Sequence, residues 1–379
     1  MSIHTPLPLL GGLSAAEFMR DYWHRKPLLI RQAIPAFTPP LSLHQIKTLA
    51  HQDDVESRLI WREADQWEME EGPFETLPPP EEPDWTLLVQ GLNLHDDTSA
   101  DLLERFRFVP DARVDDLMVS IATDQGGVGP HFDSYDVFLL QGEGQRRWEI
   151  SDQQNLQLDP DAPLKILSAF TPTATFVLEP GDMLYLPPRY AHNGVAIGDC
   201  MTLSIGFRAP TALELARGLL EHASESLEEA PPAALLHRYQ DPQQTATSTP
   251  AELPAGLLSF TREVAQQLSF SDALIQDFLG RWLTEPKANV VFPMPDELPD
   301  LYSDWPEHGT LRCDRRTRMI YRNGALYING ECATRETSPS LIKFADARQI
   351  SCALITEEEE QGLMQDWLDA GWIHFRQDA

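Results

Sequence analysis

Residues 126–136 read Gly126-Gly127-Val128-Gly129-Pro130-His131-Phe132-Asp133-Ser134-Tyr135-Asp136. Residues 180–192 read Pro180-Gly181-Asp182-Met183-Leu184-Tyr185-Leu186-Pro187-Pro188-Arg189-Tyr190-Ala191-His192. Side chains two apart in a strand share a face, so a strand through 131–133 predicts that His131 and Asp133 present an imidazole and a carboxylate to one point. The glycines and Pro130 just upstream let the backbone turn sharply into that strand and leave room beside a metal. In the second segment a turn, an apolar strand and a Pro-Pro turn deliver His192 as a third ligand. Two histidines and one carboxylate on one side of a metal leave open positions opposite, as in non-haem Fe(II) oxygenases. A structural zinc site closes those positions.

Working outward, the stretch 115–207 is the densest in strand signals, at 117–122, 135–141, 146–150, 174–178, 183–186 and 201–207. Glycine and proline punctuate them, as in an all-β barrel or sandwich. Upstream, 14–23 has helical spacing, 27–30 reads as a short buried strand, and 41–51 reads as a helix with Ser42 as its cap. Strands begin again from about Arg58. After Pro210 the character changes to helical spacing over 213–227. Residues 231–254, rich in Pro, Gln, Thr and Ala, read as a connection, and a helical pair follows over 255–283. Asn323-Gly324 between 318–321 and 325–328 is a strong hairpin signal. Helical patterns at 341–348 and 357–370 and a last strand at 372–376 make this α+β end a candidate winged-helix module.

In Gln145-Arg146-Arg147-Trp148-Glu149-Ile150, alternation places Arg146 on one face with Trp148 and Ile150, a face that reads as buried. An unpaired guanidinium inside a barrel costs several kcal/mol, so Arg146 needs an anion there. Its planar fork matches a carboxylate, and the distal carboxylate of 2-oxoglutarate, chelating iron through its 2-oxo acid end, is the obvious guest. Two other readings stay open: Arg146 pairs with a structural Asp or Glu, or Arg147 takes its place. His24 in Trp23-His24-Arg25-Lys26, His95 beside Asp96 and Asp97, and His374 in the last strand lack comparable context, and lone histidines are more often structural.

The 59 acidic against 29 basic residues give a net charge of −30, which repels phosphate backbones and favours basic partners. Four scattered cysteines, Cys200, Cys313, Cys332 and Cys352, form no CxxC pair and read as reduced. No apolar run approaches the ~20 residues needed to span a bilayer, and the start of the chain lacks an export signal, so the expected location is the cytoplasm. Arg312, Arg315, Arg316 and Arg318 form a local basic cluster that reads as a solvated wing or partner contact.

The run His131-x-Asp133, Tyr135-Asp136-Val137-Phe138-Leu139-Leu140-Gln141-Gly142-x-Gly144-x-Arg146-Arg147-Trp148, Pro180-Gly181-Asp182-x-Leu184-Tyr185-x-Pro187-Pro188 and His192 resembles the JmjC ribosomal oxygenases of the cupin superfamily. Ser204-x-Gly206-Phe207-Arg208-Ala209-Pro210 and Trp23-x-Arg25-Lys26-Pro27-Leu28 fit as well. The resemblance is strongest over 115–210. It points to the bacterial branch, which hydroxylates an arginine of large-subunit ribosomal protein number sixteen; eukaryotic relatives hydroxylate histidines. It implies a mainly β catalytic core, a double-stranded β-helix or JmjC/cupin jelly roll with its N-terminal extension (1–210). A helical dimerisation region (211–290) and an α+β winged-helix-like domain (291–379) follow. It further implies Fe(II) on His131, Asp133 and His192, 2-oxoglutarate on Arg146 with Ser120 as an additional contact, dioxygen as co-substrate, and a homodimer.

Tyr135 and Asp136 lie beside the ligands; opposite strand faces keep both from pointing inward, and Tyr135 is the candidate substrate contact. The acidic balance suits a basic ribosomal protein as substrate and disfavours DNA. Competing expectations are histidine hydroxylation, N-methyl-lysine demethylation with formaldehyde release, and a non-catalytic metal-binding cupin or regulator.

Overall fold

In the computed structural model, residues 2–63, 66–79, 81–293, 301–302 and 305–377 are described. Helix α1 (Ala15–Asp21), strand β1 (Leu28–Ile30) and helix α2 (Leu43–Leu49) come first. Strands β2 (Ser57–Glu63), β3 (Gln66–Glu71) and β4 (Trp85–Val89) precede helices α3 (Leu92–His95) and α4 (Asp97–Glu104). Then come β5 (Val114–Ala122), β6 (Val137–Ser151), β7 (Ala174–Leu178), β8 (Met183–Leu186) and β9 (Ala191–Phe207). Helices α5 (Ala212–Glu229), α6 (Ala255–Gln267) and α7 (Asp272–Thr284) lead to β10 (Thr310–Cys313), β11 (Met319–Arg322), β12 (Ala325–Ile328) and β13 (Glu331–Thr334). Helix α8 (Pro339–Ala347), β14 (Gln349–Ser351), α9 (Glu358–Asp369) and β15 (Ile373–Arg376) close the chain.

The chain divides into two compact units: Met1–Ala209 with Pro286–Thr317 and Ala347–Ala379, and Pro210–Glu285 with Arg318–Asp346. In the first, α1 and α2 start on capping boxes, Ser14 with Glu17 and Ser42 with Gln45, which satisfy amide donors that no helical turn can reach. Nine strands form one antiparallel sheet in the order β1-β8-β6-β9-β5-β4-β2-β3, with β7 also paired to β6. Alternation along β5 separates two faces. Leu117, Val119 and Ile121 enter an aromatic core with Phe18, Trp23, Phe106, Phe138, Tyr185 and Phe207, while Ser120 and Ala122 line the other face.

Strand β6 departs from the expectation of two strands broken at Gly142–Gly144. It is one strand, irregular in register at Gln141/Glu143 and Glu143/Gln145, because glycine there bulges the ladder instead of ending it. Gly144 takes φ +60, and a Cβ on it would meet the Asp199 carbonyl at 2.1 Å. The bulge also exchanges the faces: Val137 and Leu139 before it join Trp148 and Ile150 after it in one cluster. A one-residue slip turns every later side chain over, and that places Arg146 inside. Strand β9 likewise runs further than expected, back to Ala191.

The first unit also holds the sheet β14-β10-β15, beside α9 with its buried Met364, Trp367 and Leu368. In the second unit β11 and β12 pair around Asn323 and Gly324, both at positive φ, as a two-residue hairpin requires. Helix α7 buries Phe278, Gly280 and Thr284. Helices α5 and α6 bury no residue, and Leu213 (67 %) and Leu220 (59 %) of α5 are exposed. Among the described residues, no helix is long and apolar enough to cross a membrane.

Candidate metal centre

His131 does not lie on a regular strand. It makes a single bridge to His192, its N–H donating to the His192 carbonyl (2.9 Å) and its carbonyl accepting from the His192 N–H (2.8 Å). Pro130 has no N–H to carry a ladder upstream, and the chain turns through exposed Ser134 and Tyr135 before β6 begins. Asp133 is held by the turn after Pro188, where the Arg189 N–H donates to the Asp133 carbonyl at 2.7 Å. Convergence is nevertheless achieved. One ligand atom from each of His131, Asp133 and His192 lies within 4.8 Å of the others, with His192 Nε2 and Asp133 Oδ2 at 3.6 Å. Among the described residues no other trio of potential ligands is so placed.

Both imidazoles are oriented alike. His131 Nδ1 lies 3.0 Å from the Gly129 carbonyl, and His192 Nδ1 lies 2.9 Å from the Tyr190 carbonyl, each two residues upstream. A carbonyl accepts only, so Nδ1 carries the proton and Nε2 keeps the lone pair a metal needs. Burial, reinforced by His131 and opposed by Asp133, pushes His192 down to about 4. It is therefore neutral, the form that binds metal, through the physiological range.

Arg146 is 4 % exposed on the interior face. Its Nη1 donates to Ser120 Oγ at 3.1 Å, while Nε and Nη2 have no acceptor. Among the described residues no carboxylate pairs with it, which disposes of the structural-partner reading. Arg147 points outward, 39 % exposed and 3.6 Å from Glu149, so the two arginines do not exchange roles. Each uncompensated buried donor costs on the order of 1–3 kcal/mol. A guanidinium with free donors, on the interior face that also carries His192, forms a cradle suited to a chelating 2-oxo diacid.

Tyr135 is 41 % exposed; burial of its hydroxyl and the nearby Asp133, Asp116 and Asp115 carboxylates raise its pKa. Asp136 is fully buried in a structural network that pattern reading did not find. It accepts from Tyr185 Oη at 2.5 Å, and His24 Nε2 lies 2.8 Å from its other oxygen. Burial raises the Asp136 pKa against these contacts. His24 therefore ties the segment after α1 to β8. His374 likewise pairs with Asp314 at 2.9 Å, and Asp96 caps α4 through the Ser99 N–H.

The arginine cluster is not a solvated wing. Arg312 pairs with Asp101 (2.5 Å), Arg315 with Asp97 (2.9 Å) and Arg316 with Asp314 (3.3 Å), and the Arg318 amide donates to Asn329 Oδ1. Arg312 and Arg315 serve acidic neighbours that lie far away in sequence, which a local reading cannot see.

Comparison with known proteins bears on the family and the fold. A JmjC-domain model matches residues 101–215, and a ROXA-like winged-helix model matches residues 263–374. The ribosomal protein uL16 3-hydroxylase of Escherichia coli is 31 % identical over 351 residues, 91 % of each chain. A probable ribosomal oxygenase of Haemophilus influenzae is 29 % identical over 94 % of each. The solved structure of YcfD, a ribosomal oxygenase from E. coli, in complex with cobalt and 2-oxoglutarate superposes with a TM-score of 0.77 at 27 % identity. It covers 96 % of this chain and 98 % of its own. The bifunctional lysine-specific demethylase and histidyl-hydroxylase NO66 of Aedes aegypti is 26 % identical over 48 % of this chain and 31 % of its own length.

Proposed function

The chain belongs to the JmjC ribosomal oxygenase family, and from that premise we propose that it hydroxylates an arginine side chain of large-subunit ribosomal protein number sixteen. It has the JmjC cupin fold with a C-terminal ROXA-like winged helix, and it is a 2-oxoglutarate-dependent dioxygenase using Fe(II) and dioxygen. His131, Asp133 and His192 hold the iron. Arg146, braced by Ser120, takes the distal carboxylate of 2-oxoglutarate. When bound, the metal and the 2-oxo acid supply oxidising power from dioxygen, releasing succinate and carbon dioxide as a substrate C–H becomes C–OH. The protein's part is to fix ligand tautomers, anchor the co-substrate, keep the pocket dry and place the substrate carbon. No side chain is needed as a general base.

The observation that carries this reading is Arg146, buried with two unpartnered donors on the interior face of the same β-structure that carries the ligand trio. A cupin that only bound metal would have no use for it. The choice of arginine follows the resemblance to the bacterial branch. Support comes from half-exposed Tyr135, read as a substrate contact, with the Asp133 carboxylate nearby. Dimerisation through 211–290 is supported by the apolar residues that α5 leaves uncovered, and the division into 1–210, 211–290 and 291–379 remains our functional partition. A cytoplasmic location is part of the same proposal, since a ribosomal protein substrate is made there.

The test is mass spectrometry of a ribosomal protein number sixteen fragment after incubation with Fe(II)-reconstituted enzyme, 2-oxoglutarate and air. One added oxygen on an arginine supports the proposal. Succinate without modification of the fragment would leave the oxygenase and remove the substrate, oxygen on a histidine would move the residue, and formaldehyde from a methylated peptide would favour demethylation.

A further inference from the structure

We propose that Trp148 is a second donor to the bound 2-oxo acid, its indole Nε1–H hydrogen-bonding the carboxylate held by Arg146; the inference rests on the cofactor reading above. Three rungs of the β6/β9 ladder line the interior between the cation and the metal ligands. Arg146 stands opposite Ala196, Trp148 opposite Gly194, and Ile150 opposite His192. Trp148 is the middle rung, about 7 Å along the strand from either neighbour. Its ring lies near both functional groups: the Arg146 guanidinium carbon is 5.8 Å from the ring centroid, and the His192 ring, tilted by 50°, is 5.8 Å away.

The facing rung is suited to that indole. A Cβ on Gly194 would fall 2.6 Å from Cζ3, 2.7 Å from Cη2 and 2.9 Å from Cε3, so the benzo edge rests on bare backbone. Nε1, on the other edge of the ring, is directed away from Gly194. Trp148 is 4 % exposed, and its Nε1 has no acceptor among the described residues. Buried indole N–H groups normally find a partner. Here the orphan shares a wall with the two orphaned donors of Arg146, and one carboxylate with its several lone pairs satisfies all three.

The experiment is a calorimetric titration of 2-oxoglutarate into Zn(II)-loaded full-length protein, comparing wild type, Trp148→Phe and Trp148 replaced by its sulfur isostere 3-benzothienylalanine. The isostere keeps the outline of the ring and removes only the donor, so it decides the matter should the Phe variant fold poorly. A hydrogen bond to a charged group corresponds to roughly ten- to hundredfold in affinity. The expected result is a loss in that range for the isostere with zinc still bound at one per chain. Unchanged 2-oxoglutarate affinity would overturn the proposal. Arg146→Ala in the same titration separates the two levels. If it too binds like wild type, the cofactor reading fails; if it loses binding while the isostere does not, only the role of Trp148 fails.

Discussion

Each proposed ligand histidine is set by a carbonyl two residues behind it, so the proposed metal site is prepared by backbone as much as by side chains. Burying His192 as a neutral imidazole has a pH signature. Its pKa falls from an ordinary ~6.5 to about 4 on folding, so between these values the unfolded chain binds more protons than the folded one. Stability of the metal-free protein is therefore full above about 6.5 and is lost as pH drops toward 4. The loss approaches about 3 kcal/mol, and denaturant titrations across that window should show it for wild type and lose most of it for His192→Gln. Ser120 is held 3.1 Å from Arg146 and aims the guanidinium. Ser120→Ala should raise KM for 2-oxoglutarate about fivefold to tenfold, the worth of one hydrogen bond, with kcat little changed; a fall in kcat alone would assign it another role.

At the level of elements, the bulge in β6 decides which residues face the cofactor, and Gly144 makes it possible. Gly144→Ala forces φ +60 on a residue whose Cβ would collide with the Asp199 carbonyl. It should cost about 2–3 kcal/mol, against about 1 kcal/mol for Gly198→Ala, which shares the positive φ but has open space; equal melting temperatures would contradict this. The same strand shows what could be read in advance. Alternation over 146–150 correctly placed Arg146 with Trp148 and Ile150, because that rule is local. It could not reveal that 137–151 is continuous, since a glycine pair signals a break and a bulge equally well. The strand drawn through His131 and Asp133 was wrong, although both residues do converge on His192. Their meeting depends on a bridge and on the turn at Arg189, both made by chain distant in sequence. Helices α1 and α2 were legible from the spacing over 14–23 and 41–51, and the cap of α2 from Ser42. The pairings of Asp136 with His24 and of Arg312 with Asp101 were not, because nothing local encodes a partner so far along the chain.

On the scale of the whole molecule, a net charge of −30 spreads an attractive field toward a basic ribosomal protein, and such steering acts on encounter more than on chemistry. For a basic protein substrate, kcat/KM should fall severalfold between low salt and physiological salt, where the Debye length shrinks to about 8 Å, while kcat stays level; a salt-independent kcat/KM would remove charge from the account. On the function proposed above, one interior holds two separable binding functions, metal on His131, Asp133 and His192 and the 2-oxo acid on Arg146. Anaerobic equilibrium dialysis of the full chain with Fe(II) and radiolabelled 2-oxoglutarate separates the two. Wild type should retain one of each per chain, Arg146→Ala should keep iron and lose 2-oxoglutarate, and His131→Ala should lose both. Full iron retention by His131→Ala, or full 2-oxoglutarate retention by Arg146→Ala, would contradict it.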